Sequence, residues 1–256
     1  VQADLGGAGL RPDVHGDRAR QLGVLLREPP DALARAIAAP DEPAIWVCAA
    51  LGERAPGHDA PLIAALADGY PGAPAARAEA MIGDYIERLV PPLLRLLVAH
   101  GLALEAHLQN CLVVSSAGRV RGFIIRDLGG VRVHRPRLRA AGHAIAFAPG
   151  SFIATDSLDE VQRKLSHVLL HAHLTAVFAW AERALGLDPR VSWARARAVI
   201  ARALATWSRE PRLREACARD REFLLAPRCL AKALFRMRLI DRSSEYRYTE
   251  VDNALA

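Results

Sequence analysis

Residues 111–125 read CLVVSSAGRVRGFII, two short runs of β-branched and apolar residues separated by Ala117, Gly118 and Arg119. Such runs on either side of a small glycine-containing break are the mark of a β-hairpin. With Gly118 and Arg119 at the centre of a type II′ turn, Leu112 faces Ile125, Val114 faces Phe123, and Asn110 falls directly opposite Asp127. The hairpin places two polar residues from distant points of the chain at its open end. A slip of one residue would separate them.

Outward from the hairpin the period changes. Upstream, Met81, Ile82, Tyr85, Ile86, Leu89, Leu93, Leu94, Leu97 and Val98 recur at helical spacing over 78–100, and Gly101 stops the helix. An apolar run at 45–49, between Pro43 and Gly52, predicts a buried strand; 53–76 predicts a helix framed by loops; a short helix over 19–27 ends at Pro29 and Pro30. Downstream, a strand at 131–133 follows Gly129 and Gly130. Helices are expected over 158–185, 191–207, 213–225 and 230–240, with Ser192 a cap. The fold class is α+β: a small antiparallel sheet with its long helix in a palm-like part, residues 1–150, followed by an α-helical thumb-like subdomain, 151–256.

Composition narrows the function. About half of the 256 residues are apolar, 52%, enough to bury a core. The net charge is +6, but Lys164 and Lys232 are the only lysines and the arginines are scattered over helices, so no basic stripe with interleaved aromatics marks a nucleic-acid surface. Residues 89–98 are the most apolar stretch and carry Pro91, Pro92 and Arg95, which argues against a membrane span. Cys48, Cys111, Cys217 and Cys229 form no C-x-x-C pair and read as core thiols of a reducing cytoplasm. The chain opens on Val1 and reads as a piece of something longer, cytoplasmic and not exported.

The chemistry gathers around the hairpin's mouth. Glu105, His107 and Gln109 alternate, so an extended backbone would send all three to one side. Asn110 and Asp127 supply hard oxygens of the kind Mg²⁺ takes when it also holds phosphates. Gly129 and Gly130 allow a sharp corner or a close approach to a ligand.

The string Glu105-Ala-His-Leu-Gln-Asn110, with Phe123-Ile-Ile-Arg-Asp127-Leu-Gly-Gly130, resembles the signature of the siderophore synthetases that work without a non-ribosomal peptide template, the aerobactin type. Residues 22–30 (LGVLLREPP), 85–101, 232–239 (KALFRMRL) and 251–255 (VDNAL) are similar to other segments of that family's second half. The resemblance implies an enzyme that uses ATP and Mg²⁺ to adenylate citrate or a citrate derivative and then condenses it with an amine or amino alcohol. It implies His107 and Arg126 as catalytic residues, Gln109 and Asn110 as nucleotide-binding, and Glu105, Asn110 and Asp127 as metal ligands. The family's remaining nucleotide-binding residues lie in an upstream half absent from this sequence, so that N-terminal half is the expected partner, with homodimerisation left open.

Two other readings compete. Small-molecule kinases also pair an Asn with a metal-binding Asp across a hairpin, yet their catalytic loops carry an Asp two residues after the His, where this chain has Gln109. A ferric-siderophore binding or reductase-like module would need closely spaced cysteines, and Cys217 and Cys229 stand alone. His167, His171 and His173 sit among Leu165, Val168, Leu169 and Leu174 and read as part of a packing helix. Lys232, Arg236 and Arg238 could reach phosphates from the last helix, with Lys232 the candidate retained for the nucleotide.

Overall fold

The computed structural model describes residues 4–9, 23–148, 150–239 and 246–256. In chain order the elements are β1 (Asp4–Gly9), β2 (Gly23–Arg27), α1 (Asp31–Ala38), β3 (Ala44–Val47), α2 (Leu62–Asp68), α3 (Pro74–His100), β4 (Leu102–Ala103), β5 (Cys111–Ser116), β6 (Arg119–Ile125), β7 (Arg132–His134), α4 (Arg135–Ala140) and β8 (Ala154–Thr155). There follow α5 (Leu158–Leu165), a π-helical segment (Ser166–Leu174), α6 (Thr175–Leu185), α7 (Pro189–Trp207), α8 (Arg214–Leu225), β9 (Arg228–Lys232), α9 (Leu234–Leu239) and β10 (Tyr248–Asp252). The class is mixed α and β, with four small sheets among many helices.

The hairpin β5–β6 forms a three-stranded antiparallel sheet with β3 on its edge. Both faces are covered. Cys111, Val113, Val120 and Ile125 join the main core under α3, while Leu112, Val114 and Ile124 pack on Ala34 and Ala38 of α1. Double coverage is why β5 is buried along its whole length and reads as a continuous apolar run. At Gly122 an added Cβ would stand 2.8 Å from Ile37, so α1 can lie this close only over a glycine.

Helix α3 organises the rest. Its 27 residues span about 40 Å, packing β6 on one side and α7 on the other. Pro91 and Pro92 lie inside it without ending it, because twelve buried residues anchor both flanks against a penalty of about 3 kcal/mol per interior proline. Gly101 closes the helix in the left-handed region at φ 68°. One continuous core runs from Cys48 to Leu255.

Several expectations are corrected. Within 19–27 the described residues form strand β2, paired antiparallel with β1, in place of a helix; residues 19–22 lie outside the described set. In 230–240 the first part is strand β9, paired with β10, and only Leu234–Leu239 is helical, so Lys232 stands on a strand. In both cases a partner strand distant in sequence supplies the hydrogen bonds, overriding local helical preference. Asp188, whose carboxylate accepts the Arg190 N–H at 2.9 Å, caps α7 in place of Ser192. The strand after Gly130 belongs to a separate sheet, antiparallel to β4 and parallel to β8.

Four helices, two on each side of residue 150, meet at one buried carboxylate. Asp220 of α8 is fully buried and accepts hydrogen bonds from Arg137 Nη1 of α4 and Gln162 Nε2 of α5, each at 2.7 Å. The same Arg137 nitrogen donates to the Leu97 carbonyl near the end of α3 at 3.2 Å. Removing the acid strands a guanidinium that is only 11% exposed. Asp220→Ala is expected to cost about 3–5 kcal/mol in urea denaturation; a loss below about 1 kcal/mol, the range of a surface pair, would contradict this account of the junction.

Candidate active site

The hairpin turn is centred on Ala117 and Gly118, at φ 46° and 71°, the two left-handed residues of a type I′ turn. A bulge between Val114 and Ser115 then inserts an extra residue on β6. Moving the turn one residue earlier displaces the pairing by two, and the bulge takes back one. Cys111 therefore pairs with Ile125, and the Arg126 N–H reaches the Asn110 carbonyl at 2.9 Å. Asn110 stands opposite Arg126 and not, as expected, opposite Asp127.

Asp127 is brought to the mouth by other means. Its φ of 64° takes it out of the strand's alternation, and its Oδ1 accepts the Gly129 N–H at 3.1 Å. Oδ2 lies 3.6 Å from Arg27 Nη2, and the side chain is 45% exposed. Asn110, 6% exposed, donates from Nδ2 to the Glu105 carbonyl at 3.2 Å, and its amide oxygen takes no hydrogen bond among the described residues. An acceptor left open in that way is the donor type a hard cation uses.

The backbone through His107 is not extended. Residues 107–110 turn back, with the Asn110 N–H on the His107 carbonyl at 3.0 Å, so Glu105, His107 and Gln109 do not share a side by alternation. The turn is clamped from below: Arg126 donates Nε and Nη2 to the Gln109 carbonyl at 3.3 and 2.9 Å. Gln109 itself is exposed. Glu105 Oε1 is 2.5 Å from Lys164 Nζ of α5. Its Oε2 presses on Gly130, where an added Cβ would stand 1.8 Å away, so the second glycine of the signature exists to let this carboxylate in.

Beyond Glu105 a cavity of about 260 Å³ opens, lined by Arg132, Glu160, Arg163, Lys164, Lys232, Tyr246 and Tyr248. Lys232 Nζ sits 3.7 Å above the Tyr246 ring, and the Arg163 guanidinium 5.0 Å from the Tyr248 ring centre. Burial, and then the neighbouring Lys164 charge, push the Lys232 ammonium below its usual range, against a smaller pull from Glu105. His167 of the π-helical segment is lowered to about 4, first by burial and then by the Lys232 charge, with His171 and Lys164 next. Its Nδ1 and the Arg163 Nε are buried without partners. The lining sets four cationic side chains against the carboxylate of Glu160, with Arg163 also paired to Asp159 and Lys164 to Glu105.

A sequence profile of the ferric iron reductase FhuF-like transporter family matches residues 81–246. The chain belongs to this family. By sequence it is 28% identical over 240 residues to an NRPS-independent siderophore synthetase-like protein, ankE, of Aspergillus thermomutatus, covering 92% of this chain and 36% of the relative. It is 27% identical over 248 residues to staphyloferrin A synthase of Staphylococcus aureus, covering 95% and 39%. The fold is shared with the ATP-bound aerobactin synthetase IucA of Klebsiella pneumoniae, at TM-score 0.66 and 24% identity over 91% of this chain and 39% of that one. Within the FhuF-like family the chain is thus a siderophore synthetase relative, spanning under two fifths of the length of the curated relatives it matches.

Cys48 and Cys111 are buried beside Tyr85, Cys217 lies on α8 and Cys229 on β9, so the four thiols do not assemble into a ligand set. Among the described residues no group of three or more His, Cys, Asp and Glu side chains could hold a metal, and no helix is long and apolar enough to cross a membrane.

Reading along the sequence missed Arg132, Arg163, Lys164, Tyr246 and Tyr248, which only the packing of β7, α5 and the C-terminal segment brings together. A linear signal exists only for Lys164, as one of two lysines in an arginine-rich chain. Of the three histidines, His171 Nε2 faces Cys229 Sγ at 3.6 Å and His173 is fully buried, its imidazole also lowered to about 4 by burial. Unfolding restores both depressed imidazoles to an ordinary value near 6.5, so the unfolded chain binds more protons between pH 6.5 and 4. Their stabilisation is complete above pH 6.5 and lost as pH falls toward 4. Urea midpoints should therefore drop from pH 7 to pH 5, above the range where most carboxylates titrate, and the drop should shrink in His167→Asn; equal drops in both proteins would contradict the assignment.

Proposed function

We propose that this chain is the C-terminal portion of an ATP-dependent siderophore synthetase that adenylates a carboxylate of citrate or a citrate derivative and passes it to an amine or amino alcohol. The observation that carries this reading is the contiguity of the signature turn with the cation-rich cavity. A nucleoside triphosphate and a polycarboxylate must lie side by side for the reaction, and the two halves of this site offer adjoining places for two anions.

In the first step a carboxylate oxygen of the acid attacks the α-phosphorus, the bond from that phosphorus to the bridging oxygen breaks, and pyrophosphate leaves. His107 donates to the oxygens on which charge builds. Lys164, Lys232, Arg132 and Arg163 hold the remaining carboxylates of the acid. Arg126 keeps the 107–110 turn in place through the Gln109 carbonyl. In the second step the amine attacks the acyl carbon, AMP departs, and the amine gives up a proton. The open amide oxygen of Asn110 and the exposed carboxylate of Asp127 are hard donors that suit Mg²⁺. Glu105 joins them only if it loosens from Lys164. Mg²⁺ held there would supply charge neutralisation to the phosphates.

The palm-like and thumb-like division at residue 150, an upstream half of the same synthetase as partner, and a cytoplasmic setting all belong to this proposal. Pyrophosphate release by the full-length gene product with ATP, Mg²⁺ and citrate tests it. Asp127→Asn should reduce turnover by about 10²–10³-fold, whereas Lys232→Ala should chiefly raise the KM for the carboxylate, about tenfold or more. Undiminished release in Asp127→Asn would remove that residue from the mechanism, and an unchanged carboxylate KM in Lys232→Ala would remove the cavity.

A further inference from the structure

His173 sits at the end of the π-helical segment, fully buried, yet both ring nitrogens are engaged. Nδ1 is 2.9 Å from the carbonyl oxygen of Ala106, the residue immediately before His107, and Nε2 is 2.6 Å from the Tyr85 hydroxyl of α3. A carbonyl only accepts, so Nδ1 carries the proton. Burial keeps the imidazole neutral, its pKa lowered to about 4, which leaves Nε2 bare to accept the Tyr85 O–H. Tyr85 is itself fixed: it is completely buried, and its ring meets Phe123 of β6 edge-on at 4.7 Å. Three parts of the fold converge here, the long helix, the hairpin sheet and the helical half, and the chain of bonds ends on the backbone of the signature turn.

We propose that His173, set in its Nδ1–H tautomer by the Ala106 carbonyl and anchored at Nε2 by Tyr85, is a positioning residue that fixes the Ala106 carbonyl and thereby the place of His107. The inference rests on the reading of His107 as the group that acts on the reacting phosphate. The geometry explains why a polar side chain occupies a site where a leucine would pack: with no donor from this side, the buried Ala106 carbonyl would be left unsatisfied. The held peptide sets where the next side chain begins, and displacements of about 1 Å near a reacting centre can cost about 10²-fold in rate.

Long-range ¹H–¹⁵N spectra of the imidazoles in this chain read the tautomer directly. His173 should show a protonated Nδ1 and a bare Nε2; the opposite tautomer, or a doubly protonated ring at pH 7, would overturn the proposal. His173→Asn keeps a donor near the Nδ1 position and should leave the His107 amide and ring signals in place, whereas His173→Leu should displace them. Unmoved His107 signals in folded His173→Leu would overturn it too. Should the leucine variant not fold, Tyr85→Phe substitutes: the His173 ring should keep its Nδ1–H against the Ala106 carbonyl but lose the partner that holds Nε2, so the His107 signals should broaden or shift, and His107 signals like those of the parent would count against the positioning role. In the full-length synthetase, His173→Leu should lower turnover about 10–100-fold with the KM for ATP unchanged, and His173→Asn should restore most of it. A synthetase inactive even without substitution would fault the functional reading alone, because the spectra decide the positioning role without turnover.

Discussion

Glu105 and Lys164 meet at 2.5 Å, half-buried, across the junction between the signature segment and the helical half of the chain. Most of the site depends on that pair. The carboxylate reaches the lysine only because Gly130 offers no Cβ, and the lysine is held facing a cavity that already contains Lys232. A charge pair withdrawn from water is not a strong source of net stability, but breaking one costs more than the pair contributes, since a cation is left among cations. The pair thus serves to fix where two parts of the fold join, and the cavity beside it inherits an excess of positive charge.

The positional logic of the signature differs from its linear appearance. Asn110, Arg126 and Gln109 form a backbone clamp more than a set of outward-pointing ligands: Arg126 spends its guanidinium on the Gln109 carbonyl, and Asn110 spends its amide hydrogen on Glu105. The clamp leaves the Asn110 oxygen without a hydrogen bond among the described residues and the Asp127 carboxylate 45% exposed. His107 is placed by a separate device, the buried Tyr85–His173–Ala106 chain. Conformational order in this region therefore comes from directed hydrogen bonds, which specify one arrangement where apolar packing alone would tolerate several.

Much of the frame was legible in the residues alone because its periodicities are strong. The hairpin at 111–125, the helix through 78–100 and the long helical stretches after 157 follow from alternation and helical spacing. Register was not legible. Ala117 adopts φ 46°, a conformation alanine seldom takes, and a bulge at Val114 and Ser115 has no signature in those residues, so the expected pair of Asn110 with Asp127 fell one residue out. Strands β2 and β9 were read as helix because their partners are distant in sequence, and local pattern carries no trace of a remote ladder. The cavity escaped for the same reason: its lining comes from residues 132, 160–164, 232 and 246–248, which nothing in linear spacing relates.

The central claim is that signature turn and cationic cavity are one site for two neighbouring anions. A crystal structure of the full-length gene product soaked with ATP, Mg²⁺ and citrate measures it most directly. The account predicts the polycarboxylate in the cavity among Arg163, Lys164 and Lys232, with the α-phosphate between it and His107. Citrate bound elsewhere, with only solvent between Lys164 and Lys232 and the nucleotide remote from His107, would contradict it.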